Sequence, residues 1–566
     1  MENTAKDTNL WEIEKRNERR EMLRQPVLMI VVASVLFFLL LFSFYPLLQI
    51  FIKIVWSDGW DFSILKSTFS SAYFWTAFFN SIQLGLITAS ISTFVGFLFA
   101  YAVTRSNMRG KKFFHFVAQL PIVAPPFVMS LAMILLFGRS GLISKNLLHI
   151  RRANVYGLHG LIVVQSLAFF PLAYLNLKGI LESINRSVED AGESLGASRW
   201  HVFRTVTLPL CIPALFSSFL IVFIKSISDF GNPQLLGGDF STLSSQAYLQ
   251  INGMYDTRTG SLIAISILLP SVTAFLIERY WISKKSFVTV TGKPQNATDR
   301  PRVKPLDYAC FAICTLLTIV IFMFYGTVVL ISLVKTWGVD MTLSFNNFIT
   351  VFERGKIYIK DSLILSLVAM PLTTLVAMVI SYLLIRKKFY GKRLIEFTSM
   401  LTFAVPGIVL GIGYIISFNK RPFLLTGTAA IIIIALMFRN MSIGIEAGEN
   451  SLRQIDPSIE EASTNLGAGT IWTFWHVTMP LIKSAVYTTM INTFVRSMTS
   501  ISAVIFLVSV YWNLLTVMIM SEVENSRFGV AAAYCVVLMV IVIIAFEALQ
   551  IFVNRLGKPS GKRRKA

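Results

Sequence analysis

Apolar residues in this chain fall into long unbroken blocks, not into the short alternating runs or narrow helical stripes of a water-soluble domain. Val27 to Val55, Ser81 to Val103, Leu262 to Trp281 and Ala531 to Val553 are four such blocks. Each is at least about as long as the roughly 20 residues a helix needs to cross bilayer hydrocarbon. Twelve candidate spans follow, at 27–54, 80–104, 113–138, 157–178, 210–231 and 260–282, then 307–334, 361–385, 394–418, 424–444, 481–508 and 526–553. The expected fold class is therefore all-α integral membrane, with about twelve transmembrane helices.

The two sets of six are a repeat. Asn80-Ser81 aligns with Asp361-Ser362, Gly110-Lys111 with Gly391-Lys392, and Pro125 with Pro406, all 281 residues apart. Farther on, Gly196 aligns with Gly467, Pro209 with Pro480, Phe223 with Phe494 and Lys225 with Arg496, now 271 apart. An insertion around Arg139 to Tyr156 accounts for the change of register. The organisation expected is a tail over 1–26, a first repeat over 27–282, a polar and basic linker over 283–306, a second repeat over 307–553 and a basic tail over 554–566. Parallel repeats of this kind pack about a pseudo-two-fold axis along the membrane normal, with a pathway between them.

Two polar segments interrupt the spans at equivalent places: Glu189-Asp190-Ala191-Gly192-Glu193-Ser194-Leu195-Gly196 and Glu460-Glu461-Ala462-Ser463-Thr464-Asn465-Leu466-Gly467. Each reads as helix, break, helix. Asn185 and Asp456 suit N-caps, and Pro457 suits a first helical position. The acids lie near the start, where the helix dipole favours them, and on the polar side of each helix. Val188, Ala191 and Leu195, like Ile459, Ala462 and Leu466, make one apolar stripe per helix. Gly196 and Gly467 then end it. Trp200, Phe203 and Val206 in one half, and Ile471, Phe474 and Val477 in the other, form the apolar side of a second short helix. Pro209 and Pro480 mark the return to the membrane. An amphipathic loop lying on the bilayer is the plainer reading of one copy; two copies at matched positions point to a shared partner.

At these residues the chain resembles the type-1 permeases of ATP-binding-cassette importers, whose signature is a glutamate–alanine–glycine loop before the penultimate helix. The likeness covers both halves. It implies that Glu189, Asp190, Ala191, Leu195, Gly196, Trp200 and Phe203, with Glu460, Glu461, Ala462, Leu466, Gly467, Ile471 and Phe474, form coupling helices docking on ATPase subunits. Glu189-Asp190-Ala191 departs from the usual Glu-Ala-Ala at its middle position. The resemblance further implies two copies of a cytoplasmic ATP-binding-cassette ATPase as partners, an extracytoplasmic substrate-binding protein, and no cofactor on this chain, ATP being used by the ATPase. A bacterial inner membrane, with both termini cytoplasmic, is implied too. Ser226 to Pro233 and the fused layout are similar to the ferric-iron branch. Iron(III) is the first expectation for the substrate, with phosphonates, sugar phosphates, thiamine, sulfate and polyamines left open.

Composition agrees and narrows the classes. Hydrophobic residues make up 55% of the chain and charged residues 14%, against about 25% charged in soluble domains. The net charge of +21 invites a nucleic-acid reading. Its cations, however, sit in short segments between apolar blocks (Arg105 to Lys112, Arg386 to Arg393, Arg555 to Lys565), as cytoplasmic loops require. The partner they imply is the lipid bilayer, with no nucleic acid. Arg139, Lys145, Arg151 and Arg152 run against that trend, and their role stays open. The chain has no G-x-x-x-x-G-K-[ST] phosphate loop, so an ATPase site of its own is not expected. Its five histidines are scattered and its four cysteines fall in or beside apolar blocks, which argues against a membrane enzyme. A twelve-helix secondary transporter shares the parallel halves but has no use for paired glycine-broken loops.

Charges inside spans are functional candidates because lipid makes them costly. Lys225 and Asp229 stand at i, i+4, a spacing that allows a local pair. Ser226, Ser228, Asp229, Ser497, Thr499 and Ser500 are candidate pathway residues, against the plainer reading of close-packing hydroxyls. No metal ligands can be assigned. Pro125-Pro126 and Pro406 are expected to kink their spans.

Overall fold

A computed structural model describes residues 26–56, 59–125, 127–139, 141–150, 153–282 and 304–556. The 283–303 part of the expected linker, residues 1–25 and 557–566 of the expected tails, Pro126, Arg151 and Arg152 lie outside the described residues. Helix dominates, with one two-stranded antiparallel ribbon, Val334–Thr336 with Asp340–Leu343. Among the described residues ten helices are long and apolar enough to span a membrane.

The difference from twelve has two sources. The span expected at 394–418 is a pair of helices, Lys392–Ala404 and Gly407–Ser417, bent by 111°. Val405 is extended ahead of Pro406, because the proline ring disfavours helical geometry in the residue before it. This is a break, not the kink expected. The first half breaks likewise, with Lys111–Val123 ending at extended Ala124 and a new helix, Val128–Phe137, following. The span expected at 481–508 is helical only over Lys483–Met498, 16 residues, and turns follow through Leu507.

Pro209 does not mark a boundary as expected, whereas in the second repeat a break at Ile482 follows Pro480 and the next helix starts at Lys483. Arg199–Ile227 runs as one helical stretch of 29 residues. A five-residue π turn, Phe203–Thr207, immediately precedes the Leu208–Ile227 segment, which has proline in its first turn. The wider turn accommodates proline's missing donor. The second arm of the first polar loop is therefore the end of a span.

The chain packs into two units that do not follow the sequence halves. One takes Ile357–Leu515 with the described residues of Met1–Ile52 and Val540–Ala566; the other takes Lys53–Lys356 with Thr516–Met539. In the first unit the opening helix lies against the second repeat, where Tyr414 Oη donates to Phe42 O at 2.8 Å. In the second unit the Lys304–Ser332 helix lies against the first repeat. Phe311 meets Phe114 with ring centroids 5.6 Å apart, and Asn107 N donates to Asp307 Oδ1 at 2.7 Å. Each repeat's opening helix thus packs with the other repeat.

One close helix crossing is built once in each unit. At Gly96 a Cβ would stand 2.8 Å from Tyr174 N and 2.9 Å from Ala173 Cβ; at Gly444 it would stand 2.7 Å from Ala377 Cβ. Ala377 is the repeat equivalent of Gly96, and Gly444 of Ala173. The crossing keeps one glycine and one alanine, exchanged between the helices, because van der Waals approach through small residues holds helices together in lipid. The starts of the Leu243–Tyr248 and Leu515–Glu524 helices are also fixed alike. Ser81 Oγ accepts from Leu243 N at 2.8 Å, and Ser362 Oγ accepts from Leu515 N at 2.7 Å.

Candidate coupling sites

The two polar loops fold as matched helix–break–helix elements. Arg186–Ser194 is capped by Asn185, whose side chain accepts from Ser187 N. Asp456 Oδ1 accepts from Ser458 N at 3.0 Å ahead of Ser458–Asn465, and this bond holds the exposed carboxyl below its usual range. Both helices end in the same double bond. Ala197 N reaches Gly192 O while Gly196 N reaches Glu193 O; Ala468 N reaches Ser463 O while Gly467 N reaches Thr464 O. This closure needs a left-handed residue, and Gly196 and Gly467 supply it with φ of +86° and +89°.

The first acid of each loop is buried, which corrects the expectation that both acids face outward. Glu189 Oε1 receives Arg105 Nε at 3.0 Å and Thr207 Oγ1 at 2.9 Å. Glu460 Oε1 receives Arg386 Nε at 3.1 Å and Thr478 Oγ1 at 3.1 Å. Each arginine also grips the chain entering the loop: Arg105 at Ile184 O (3.5 Å), Arg386 at Leu452 O (3.0 Å) and Ile455 O (2.8 Å). Ion-pair side chains this enclosed, 4% and 3% exposed in the first loop and 8% and 12% in the second, bind tightly once every donor is used. The end of the Ala72–Arg105 or Lys356–Arg386 helix is thereby locked to its loop. Asp190 is half-buried and Glu461 exposed, so only these second acids fit the polar face. The missed signal was in the repeat: Arg105 with Arg386, Glu189 with Glu460 and Thr207 with Thr478 keep their identities at the two offsets.

The expected apolar stripes face away from the fold. Leu195 and Leu466 are both 89% exposed, Trp200 is 70% and Ile471 57%; Val188, Ala191, Ile459 and Ala462 are exposed as well. Phe203 and Phe474, expected with them, turn inward. Phe203 sits against Tyr101 and Phe474 against Tyr382, centroids 5.4 and 5.1 Å apart. Tyr101 and Tyr382 are repeat equivalents. The two arms of each loop touch differently. A Cβ at Gly192 would lie 3.1 Å from Val202 Cγ2, whereas Ser463 Oγ bonds Thr473 Oγ1 at 2.9 Å. Each loop thus presents a rigid apolar ridge on a buried ionic anchor, and ridges of this kind mark partner surfaces.

The candidate pathway residues divide. Asp229 is buried, and its Oδ2 accepts from Gln165 Nε2 at 2.8 Å and Asn232 Nδ2 at 2.7 Å, in place of the expected pair with Lys225. Ser226 Oγ donates to Gln165 Oε1 at 2.5 Å, and Ser130 Oγ to Asn232 Oδ1 at 2.8 Å. Ser228 Oγ is enclosed with no hydrogen-bond partner among the described residues. In the second repeat Ser497 Oγ accepts from Asn440 Nδ2 at 3.4 Å, Thr499 Oγ1 donates to Val495 O at 2.9 Å, and Ser500 is buried. The structure joins Ser226 and Asp229 in one polar knot; Thr499 bonds its own helix. Among the described residues no group of three or more His, Cys, Asp and Glu side chains converges. All four cysteines are buried and free.

Comparison with known proteins matches the geometry. The chain is 36% identical over 529 residues, 91% of its length and 77% of the relative, to the ferric transport system permease protein FbpB of Actinobacillus pleuropneumoniae. It is 23% identical over 475 residues, 83% of its length and 86% of the relative, to the Fe(3+)-transport system permease protein FbpB 2 of Haemophilus influenzae. Over 193 residues, 33% of its length and 83% of the relative, it is 30% identical to the molybdenum transport system permease protein ModB of the same organism. The model of the binding-protein-dependent transport system inner membrane component matches twice, over 92–287 and 369–558. With both polar loops and their buried anchors inside those two matches, the chain belongs to the family of binding-protein-dependent transport system inner membrane components.

Proposed function

We propose that this chain is the permease of an ATP-driven, binding-protein-dependent importer of iron(III), working by alternating access. The relatives named for ferric transport support the substrate. The observation that carries the mechanism is the pair of exposed apolar ridges set on buried Arg–Glu anchors. Two ridges suit two copies of a cytoplasmic ATP-binding-cassette ATPase, which use the ATP; this chain holds no cofactor and catalyses no reaction of its own. An extracytoplasmic binding protein delivers substrate. Both termini face the cytoplasm of a cell whose inner membrane holds the chain.

The coupling follows from the connections. A push on Leu195 or Trp200 enters a helical stretch of 29 residues, Arg199–Ile227, about 44 Å long at ~1.5 Å per residue. That stretch ends beside the Asp229 knot. The same push reaches the Ala72–Arg105 helix through the Arg105–Glu189 pair. Closure of the ATPases on ATP therefore moves two spans together in the first repeat, and in the second the Arg386–Glu460 pair carries the push to Lys356–Arg386, so that substrate passes from the outer to the inner face.

The test is uptake of radiolabelled iron(III) by cells lacking the gene, complemented with wild type or with the double variant Gly196→Pro, Gly467→Pro. Proline cannot take the positive φ both glycines hold, so the double variant should reach the membrane and not transport. Iron uptake unchanged by deletion under iron limitation would remove iron(III). Full uptake by the double variant would remove the coupling role of the loops.

A further inference from the structure

Among the described residues the second repeat contains two cations, Arg439 and Arg496, that make no ion pair. Arg439 stands in the middle of the Ala429–Arg453 helix, and Arg496 near the end of Lys483–Met498. Their helices meet at the adjoining residues, where Asn440 Nδ2 donates to Ser497 Oγ at 3.4 Å. Arg439 Nη1 is closed off from solvent with no hydrogen-bond partner. Of the carboxylates farther along the same helix, Glu449 pairs with Arg453 at 3.8 Å and Glu446 is exposed. A guanidinium at mid-span that keeps a free donor faces a cost that other cations only increase.

A third positive element meets Arg439. A side chain at Gly407 would collide with both Arg439 Nη1 and Ser502 Oγ, so these two groups converge on the backbone at Gly407. That residue opens the 11-residue helix Gly407–Ser417. The first-turn N–H groups of a helix lack intrahelical acceptors and carry the positive end of its dipole. Ser442, one turn beyond Arg439 on its helix, has an enclosed Oγ with no partner. Guanidinium, hydroxyl and helix N-terminus together make an oxyanion receptor. The first repeat keeps a cation, Lys225, at the position of Arg496, but has Ala168 and Gly231 in place of Arg439 and Ser502.

We propose that Arg439, Arg496, Ser502 and the first turn of Gly407–Ser417 bind a small oxyanion of the phosphate, carbonate or carboxylate class, and that iron(III) enters this repeat with such an anion among its ligands. The second clause rests on the iron-importer reading above; the first does not. A bare trivalent cation would be repelled by the pair, whereas an anion-bearing complex offers it the missing acceptors.

The experiment uses the full-length permease in phosphatidylcholine nanodiscs. Thermal unfolding and binding of radiolabelled orthophosphate are followed at constant ionic strength, with chloride as the reference anion. Wild type should gain stability with phosphate or citrate and not with chloride. Arg439→Gln and Arg496→Gln should each weaken that response roughly ten- to a hundredfold, the worth of a charge-assisted bond, and Arg439→Lys less. Without oxyanion both Gln variants should unfold at or above the wild-type temperature, because a like-charge repulsion is relieved. Variants that lose stability without oxyanion and titrate phosphate like wild type would make the arginines structural and overturn the site. Displacement of phosphate by phosphatidylglycerol in the disc would assign the pocket to a lipid headgroup and overturn it too. Transport by the complete complex separates the two readings. Phosphate binding without iron uptake sinks iron(III) and leaves the anion site; iron uptake with unchanged KM in both Gln variants sinks the anion's part in transport.

Discussion

Replacing Arg386 by Gln tests the anchor under the second coupling loop. The substitution removes the Nε bond to Glu460 at 3.1 Å and the bonds to Leu452 O and Ile455 O at 3.0 and 2.8 Å. Taking one partner from a buried ion pair costs about 3–5 kcal/mol. The 12% exposure of the Glu460 side chain lets water recover a little, so about 3 kcal/mol is the working value. The loss is local, because the span keeps its packing in lipid while the loop loses its tie. Amides of 458–473 should therefore exchange with deuterium about a hundredfold faster than in wild type, with ATPase stimulation by the substrate-binding protein falling in parallel. In the first repeat Arg105 reaches a single backbone oxygen, at 3.5 Å. Arg105→Gln loses one backbone bond fewer, worth about 1 kcal/mol, but strands Glu189, which is more enclosed than Glu460, so the two loops should loosen by similar amounts. A double variant Arg386→Met, Glu460→Met should recover much of the protection, since an apolar pair of similar volume leaves no orphan charge. Exchange in 458–473 unchanged by Arg386→Gln, or a double variant as loose as the sum of its singles, would refute the anchor.

Leu195→Asp and Leu466→Asp should leave thermal unfolding within about 0.5 kcal/mol, as for other exposed positions, while each weakens co-purification of the ATPase and the pair abolishes it. Gly96→Val forces a branched side chain onto the Tyr174 backbone, so it should destabilise the unit by at least about 1–3 kcal/mol in detergent unfolding; Gly96→Ala should cost less. Asp229→Leu strands the amides of Gln165 and Asn232 and should cost about 1–3 kcal/mol for each, whereas Asp229→Asn keeps an acceptor and should cost less. Bonds from Ser63 and Arg258 hold the Asp61 carboxyl well below its usual range. Its contribution is present above the unfolded carboxylate pKa, about 3.9, and is lost only as pH falls below that; proteolysis of the 56–63 loop should accelerate only under such acid.

The span pattern was legible because lipid imposes a length and an apolar character that a linear reading can count. The repeat was legible because glycine, proline and polar pairs keep their spacing. Glu189 was misread because its partners, Arg105 and Thr207, come from separate helical segments, and a helix-wheel argument assigns an acid to water by default. Pro209 and Pro406 show the same limit from the backbone side. One proline is carried through by a π turn, and the other ends its helix with a 111° bend; nothing local in the two sequences separates these outcomes. The exchange of opening helices depends on faces that only packing reveals, as where Tyr414 reaches Phe42 O. Phe203 and Phe474 have the spacing of an exposed stripe and were claimed inward by Tyr101 and Tyr382.

The two repeats agree at one end and disagree in the middle, and the division is informative. Tyr101 and Tyr382, Arg105 and Arg386, Glu189 and Glu460, Gly196 and Gly467, and Thr207 and Thr478 are identical pairs around the loops. Inside the spans the knot residues Gln165, Asp229 and Asn232 face equivalents Leu436, Ser500 and Ala503, and Ala168 faces Arg439. On the proposed function, two copies of one ATPase would ask for the same surface twice, which would hold both loops alike. A single substrate would ask for no symmetry, which would leave one repeat free to close a satisfied carboxylate knot and the other to keep the proposed cation pair. Grafting Gln165→Leu, Asp229→Ser and Asn232→Ala onto the first repeat should therefore preserve ATPase association while altering uptake. Loss of ATPase association in that variant, with unfolding unchanged, would show that the interior and the loops are not separable in this way.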